Sequence, residues 1–168
     1  VGDTPGTSPP HKTWGRGRAT RLREFDYAAP RQAYYLTVCS GHRRRSLVEQ
    51  PLATRILGTL GRVAQQGGYR LLAWCLMPDH IHVLVLAEEN PKDLRACMRN
   101  FKSLTTRAWW GLGGKGPFWQ RSYYEHVVRM EEDLHGLAEY ILFNAVRKGL
   151  VQNPEEWPWC GLGKWPTG

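Results

Sequence analysis

The sequence predicts an α+β fold: a ferredoxin-like, RRM-like, four-stranded antiparallel sheet with the element order βαββαβ. Hydrophobic runs alternate in the order strand, helix, strand, strand, helix, strand, helix, and the second and third strands are joined by a tight turn. Two helices are therefore expected on one face of the sheet and a last, tyrosine-bearing helix on the other. With 168 residues, 42% of them hydrophobic, the chain is long enough for one such domain with its own core.

The first four elements follow from residue type and spacing. The β-branched and aromatic run at 33–40 is typical of a strand. Apolar residues then recur at helical spacing from Pro51 to about Gln66. Two apolar runs, 69–77 and 80–87, are separated only by a Pro-Asp turn, so they predict a hairpin.

The last three elements complete the pattern. Asn90 and Pro91 form a typical helix start, which predicts a second helix running to about Trp110. The alternating segment 122–129 predicts the fourth strand. A final helix follows, acidic at its beginning and basic at its end, and Gly149 is its expected C-terminal cap.

Composition divides the chain into three parts. Residues 25–150 hold all the predicted elements and form the folded domain, and residues 151–168, rich in Pro and Trp, are expected to pack on it as an irregular strap. Residues 1–24 are rich in Gly, Pro, Thr and Arg, which predicts a flexible basic arm. The arginines of this arm are candidates for DNA contact: Arg16, Arg18, Arg21 and Arg23.

Charge and cysteine usage narrow the function classes. The formal net charge of +8 favours a polyanionic partner, with nucleic acid first and an acidic membrane surface second. No eighteen consecutive apolar residues occur, which argues against a membrane span, and the N-terminal residues lack the features of a signal peptide. The four cysteines have no CxxC spacing, so we expect a reduced, cytoplasmic protein without a zinc ribbon.

Two histidines stand in the apolar third strand. His80 and His82 are two residues apart, so their side chains lie on the same face of the sheet and their ring nitrogens could converge on one metal ion. A bare His-x-His pair is also compatible with one hydrogen-bonded core histidine and one chance neighbour.

The last helix adds two polar groups. Tyr140 and Asn144 are four residues apart and share one helical face. If that face covers the histidines, a phenol and an amide oxygen join the two imidazoles. Taken separately, Tyr140 fits a half-buried aromatic residue and Asn144 a solvated polar one.

The segment MPDHIHVLV and the later FWQRSYYEHVVRMEEDLHGLAEYILFNAVRKGLV resemble the single-tyrosine HUH transposases, especially the REP-associated tyrosine transposases. The resemblance implies that Tyr140 is the nucleophile, forming a 5′-phosphotyrosine intermediate, and that His80, His82 and Asn144 bind the metal. It also implies a single-stranded DNA substrate with hairpins, a monomer or homodimer, and a place at the nucleoid. The chain departs from the family pattern at Leu142, where His is frequent, and at Ala145, where Pro is frequent.

The metal and the DNA contacts can be anticipated from residue chemistry. Mg²⁺ prefers oxygen ligands while Mn²⁺ tolerates imidazole, so we expect Mg²⁺ in the cell and Mn²⁺ to be active in vitro. Single-stranded DNA is usually held by basic grooves with aromatic platforms. The candidates for such contacts, each also compatible with a solvated charge or, for the tryptophan, a core position, are Arg43, Arg44, Arg45, Arg99, Lys102, Arg107, Trp119 and Arg121.

Three other functions compete with a cutting enzyme. A domesticated relative would hold hairpin DNA without cleaving it, and a metallohydrolase would cut with water and leave no covalent adduct. An RRM-like RNA-binding protein would carry aromatic residues on its central strands. The third strand carries His80 and His82 and no aromatic residue, which disfavours the RNA-binding alternative.

Overall fold

The computed structural model describes residues 29–128 and 134–165, and the predicted basic arm lies outside them. The chain forms a five-stranded antiparallel sheet with the order β4-β1-β3-β2-β5. Among the described residues the strands are β1 Ala33–Cys39, β2 Tyr69–Leu76, β3 His80–Ala87, β4 Tyr124–Val128 and β5 Cys160–Leu162; the α-helices are α1 Leu52–Gly67, α2 Leu94–Trp110, α3 Leu134–Leu142 and α4 Asn144–Arg147.

The predicted ferredoxin-like order is confirmed. Strand β1 lies between β4 and β3, and β3 pairs with β2 through the predicted hairpin. Side chains alternate along each strand, so Tyr34, Leu36 and Val38 of β1 all point to the face that α1 and α2 cover. Their burial with the apolar stripes of both helices forms the larger of two hydrophobic cores.

The opposite face is covered by α3, as predicted. Leu137, Ala138 and Ile141 of this helix are buried against a second core that includes Tyr35 of β1 and Leu84 of β3. Since His82 alternates in phase with Leu84, α3 and the two histidines share this face. No helix in the described parts of the chain combines the length and the apolar character needed to cross a membrane.

The tail and the start of α2 differ from the prediction. The tail is not a wholly irregular strap, because β5 extends the sheet by pairing with β2. Helix α2 begins at Leu94 rather than at Pro91, and its cap is Asp93, whose carboxylate accepts a hydrogen bond from the Arg95 amide at 2.8 Å. The reason is tertiary: the Lys92 amide donates to the Gly67 carbonyl at 2.8 Å, which ties the expected first turn to the end of α1.

The last helix is divided at Phe143 into α3 and α4, where a single helix was expected. The side-chain amide of Asn144 donates to the carbonyls of Tyr140 and Ile141, and such local bonds compete with the regular backbone ladder. Gly149 does end α4, with a φ of 66° and its amide on the Val146 carbonyl at 2.8 Å.

Candidate active site

The two histidines of β3 face each other on the sheet surface. The Nε2 atoms of His80 and His82 are 3.0 Å apart, and their rings meet edge to face. Two ligand nitrogens bound at a right angle to one ion, each at ~2.1 Å, would also lie ~3.0 Å apart. The pair therefore fits two neighbouring positions of one metal ion.

Each histidine is held at its other ring nitrogen. The Nδ1 of His80 lies 2.6 Å from the Asp79 carboxylate, which can only accept, so Nδ1 carries the proton and Nε2 is left with a lone pair. The Nδ1 of His82 lies 2.8 Å from the Tyr35 hydroxyl and 2.9 Å from Thr37 Oγ1. When this Nδ1 donates to a hydroxyl, the Nε2 of His82 is also free to bind a cation. Outer partners of this kind are typical of metal-binding histidines.

The electrostatics keep both imidazoles neutral, which is the form that binds metal. Burial lowers the pKa of His82 well below its ordinary value, and electrostatic interactions with His80, Arg147 and Lys148 lower it further. Burial also lowers the pKa of His80, although the hydrogen bond and charge of Asp79 act in the opposite direction. Burial alone would raise the pKa of Asp79, but its interactions with His80 and Arg43 outweigh this and lower it.

Three residues of the divided helix are linked to one another. The Arg147 guanidinium lies over the Tyr140 ring at 3.6 Å and donates to the Tyr140 carbonyl at 3.1 Å. Its second nitrogen donates to Asn144 Oδ1, also at 3.1 Å. Asn144 is buried, whereas Tyr140 is half-buried against the core that contains Tyr35. The tertiary structure thus places Tyr140 and Asn144 on the histidine side of the sheet, while their roles as nucleophile and third ligand stay predictions.

The available donor set limits which metal could bind. Within residues 29–128 and 134–165, no three side chains of His, Cys, Asp or Glu come close enough together to hold an ion. An ion at the histidine pair would therefore need oxygen from an amide, water or phosphate, which suits Mg²⁺ or Mn²⁺ better than a structural zinc. Asn144 Oδ1 accepts one bond from Arg147 and keeps a second lone pair for such an ion.

The basic loop after β1 lies at the same end of the sheet as His80. Arg43 forms an ion pair with Asp79 at 3.3 Å. Arg44 donates to the Pro117 carbonyl at 3.2 Å, and its guanidinium lies 4.7 Å from the centre of the Trp109 ring. Arg45 is exposed. The loop connects the histidine turn to the segment that precedes β4.

Four of the other predicted DNA contacts line one surface groove of about 680 Å³: Lys102, Arg107, Trp119 and Arg121. They are not equally available. The Lys102 ammonium donates to the carbonyls of Gln120 and Arg121, and the Trp119 indole is buried and donates to Thr105 Oγ1 at 2.8 Å. Trp119 is therefore a core residue, which was the alternative to a role in stacking on DNA bases. Arg99 is exposed on α2 and does not line this groove.

Sequence reasoning missed the partners that orient the predicted site. Tyr35 and Thr37 alternate on β1, and Thr37 pairs directly with His82 across the strands. Asp79 immediately precedes His80, and Arg147 lies seven residues after Tyr140, which is two helical turns. The last two were recognisable from spacing alone, whereas the β1 partners required the strand register.

The sequence is similar to proteins of one known family. The profile of a family described as "Transposase IS200 like" matches residues 30–142. A REP-associated tyrosine transposase of Escherichia coli K12 is 27% identical over 128 residues, covering 74% of this chain and 73% of the relative. A Haemophilus influenzae protein named as a candidate of the same type is 23% identical over 148 residues, covering 77% and 78%.

A solved structure shares the fold. A REP-associated tyrosine transposase bound to a REP hairpin superposes with a TM-score of 0.69 and 24% identity, covering 84% of this chain and 81% of that one.

Proposed function

The chain belongs to the IS200-like transposase family, and from that premise we propose that it is a metal-dependent, single-stranded DNA endonuclease and strand transferase. It would act at hairpin-flanked sites through a 5′-phosphotyrosine on Tyr140. The observation that carries this proposal is the 3.0 Å approach of the His80 and His82 Nε2 atoms on the sheet face that the Tyr140 helix covers.

The arrangement of the histidine pair supports a role in holding a cation rather than in transferring protons. Asp79, Tyr35 and Thr37 keep the two rings in place by bonds to Nδ1, so both Nε2 atoms point to one location. Asn144 is the proposed third ligand. A bound Mg²⁺, or Mn²⁺ in vitro, would supply positive charge to the oxygens of the scissile phosphate and help to orient it.

The chemical step proposed for this chain replaces one phosphoester bond by another. The Tyr140 oxygen attacks phosphorus, the O–P bond to tyrosine forms, and the bond to the 3′ oxygen breaks. The phenol proton passes to solvent, and the departing 3′ oxygen takes up a proton to become a free hydroxyl. Because the ester bond is kept on the protein, a second 3′-hydroxyl can reverse the step on another strand without ATP.

Arg147 has a defined place in this scheme. Its two hydrogen bonds hold the Tyr140 backbone and the Asn144 oxygen, and its guanidinium covers the Tyr140 ring. Arg147 therefore acts as a positioning residue for both predicted site residues on the helix.

Three observations support hairpin DNA as the partner. The formal net charge of +8 favours a polyanion, and the similar structure is that of a transposase bound to a REP hairpin. Exposed arginines of the loop after β1 lie beside the histidine turn, where a strand entering the site would pass.

The decisive experiment compares two tyrosine variants. Tyr140→Phe and Tyr124→Phe each delete one hydroxyl from a half-buried ring packed on the same core. Each protein is incubated with Mn²⁺ and a labelled hairpin carrying single-stranded flanks from the DNA around its own gene, then run on a denaturing gel. We expect a slow covalent band and a shorter strand for the wild type and Tyr124→Phe, and neither for Tyr140→Phe.

The other outcomes separate the competing functions. An adduct that mass spectrometry places on a different tyrosine would overturn the assignment of Tyr140. Cleavage without any adduct would instead identify a water-using hydrolase. Tight hairpin binding with no cleavage by the wild type, in Mg²⁺ or Mn²⁺, would identify a non-cleaving DNA-binding relative.

A further inference from the structure

We propose that the groove between α2 and the segment before β4 binds an unpaired nucleobase of the single-stranded DNA, with Trp110 as the stacking surface. This inference rests on the proposed function, because it names where the strand beside the cut is held. Trp119, the tryptophan that the sequence suggested for this role, is buried, whereas Trp110 is exposed to solvent.

Trp110 has the exposure and the fixed orientation of a stacking platform. It is the last residue of α2, and 51% of its surface is exposed. Its indole nitrogen donates to the Gly116 carbonyl at 2.9 Å, which holds the ring against the following loop. Trp109 is different, since its ring is stacked on Phe118 and covered by Arg44. An exposed indole held in one orientation binds a base with little loss of side-chain entropy.

The groove around Trp110 has the charge of a nucleic-acid site. Arg107 lies three residues before Trp110, on the same side of α2, and Arg121 lines the groove from the opposite wall. No acidic side chain occurs among the described residues that line it. Lys102 is engaged by two backbone carbonyls, so Arg107 and Arg121 are the side chains proposed to contact phosphates.

The groove is also connected to the candidate active site through the sheet. The Gln120 amide donates to the Cys39 carbonyl at 2.9 Å, and Cys39 pairs directly with His80 in the β1–β3 register. The groove wall is therefore attached to β1, next to the strand that carries the histidines. Arg43 and Arg44 lie between the two regions: Arg43 binds Asp79, next to His80, and Arg44 binds the Pro117 carbonyl at the groove. The histidine pair and the groove lie on opposite faces of the sheet, so a DNA strand joining them would pass round the end of the sheet that carries these arginines.

The test separates base stacking from phosphate attraction. Fluorescence anisotropy in EDTA measures binding of a labelled oligothymidylate and of an abasic oligomer that has the same phosphates. We expect Trp110→Ala to bind oligothymidylate at least about five-fold more weakly than the wild type does, which is the lower limit for the loss of one stacked base. It should bind the abasic oligomer as tightly as the wild type does. Trp110→Phe should recover most of the affinity, because it restores a ring. Leu112→Ala, an exposed apolar neighbour outside the groove, is the matched control.

Arg107→Gln and Arg121→Gln provide the second arm. Each should weaken both oligomers and make the plot of log affinity against log salt shallower by about 0.7 per lost phosphate contact. Equal binding of oligothymidylate by Trp110→Ala and the wild type would overturn the stacking site, whether or not the protein forms an adduct. If Trp110→Ala binds oligothymidylate more weakly but the wild type forms no covalent adduct, the stacking site is supported and only the proposed cleavage chemistry is rejected.

Discussion

The two faces of the sheet are covered by helices of different length and carry different side chains. On one face, α1 with 16 residues and α2 with 17 bury an apolar stripe against β1, β2 and β3. On the other face, α3 with nine residues covers a smaller apolar core. Beside that core lie the buried polar groups of the candidate site, His82 and Asn144.

This difference shows that the large apolar core and the polar groups of the candidate site lie on opposite faces of the sheet. Burying neutral histidine and amide groups costs free energy unless each finds a hydrogen-bond partner. Tyr35, Thr37 and Arg147 provide such partners, but the net gain of each bond is small. The long-helix face therefore supplies most of the folding free energy, whereas the short-helix face carries the groups proposed for the chemical step.

The largest expected effect comes from the long-helix face. Phe101 of α2 is fully buried and packs on the Trp119 ring at 5.7 Å between centroids. Phe101→Ala should lower the free energy of unfolding by about 3–5 kcal/mol, since it leaves a cavity in a close-packed core. Urea denaturation measures the loss, and Leu112→Ala, at an exposed site, should change stability by less than about 0.5 kcal/mol. A loss near that of the control would contradict the division between the faces.

An intermediate effect, on function alone, is expected from the histidine turn. Asp79→Asn removes the charge that holds the His80 ring, and it should weaken Mn²⁺ binding by about 10–100-fold while the fold is retained. Isothermal titration calorimetry measures this affinity. The control is Glu88→Gln, which alters an exposed ion pair with Arg70 just beyond the other end of β3. Unchanged Mn²⁺ affinity in Asp79→Asn would remove the histidine pair from the proposed metal site.

The smallest effect is a dependence of stability on pH that arises on the short-helix face. Because burial lowers the pKa of His82, the folded state keeps this ring neutral while the unfolded chain protonates it near its ordinary value of about 6.5. The unfolded state then binds more protons, so stability is fully present above that pH and is lost as the pH falls below it. The slope for one such group is at most about 1.4 kcal/mol per pH unit.

Denaturation of the metal-free protein between about pH 7 and pH 5 tests this slope. This pH range lies above the range in which Asp79 titrates. His82→Gln should flatten the profile, because it removes the group that the unfolded chain protonates. A profile equally steep in His82→Gln would mean that other groups cause the loss.

Most of the fold could be predicted because its signals are local. The β-branched, aromatic and apolar runs of β1 to β3 and the apolar stripe of α1 arise from neighbouring residues, and the tight turn before His80 defines the hairpin. The start of α2 was misplaced because a distant residue, Gly67, binds the Lys92 amide. Strand β5 was missed because three residues carry too little periodicity to show a strand, and only the free edge of β2 makes them one.

For the candidate site, the sequence alone establishes which chemical groups are available and on which side of their own element they lie. His80 and His82 share a strand face, and Tyr140 and Asn144 share a helical face, because side-chain direction follows from backbone periodicity. The folded structure was needed to show that Tyr35 and Thr37 hold His82, that Trp119 is buried, and that Trp110 is exposed beside Arg107. These depend on strand register and on helix packing, which bring together residues far apart in the chain, and no local pattern encodes such contacts.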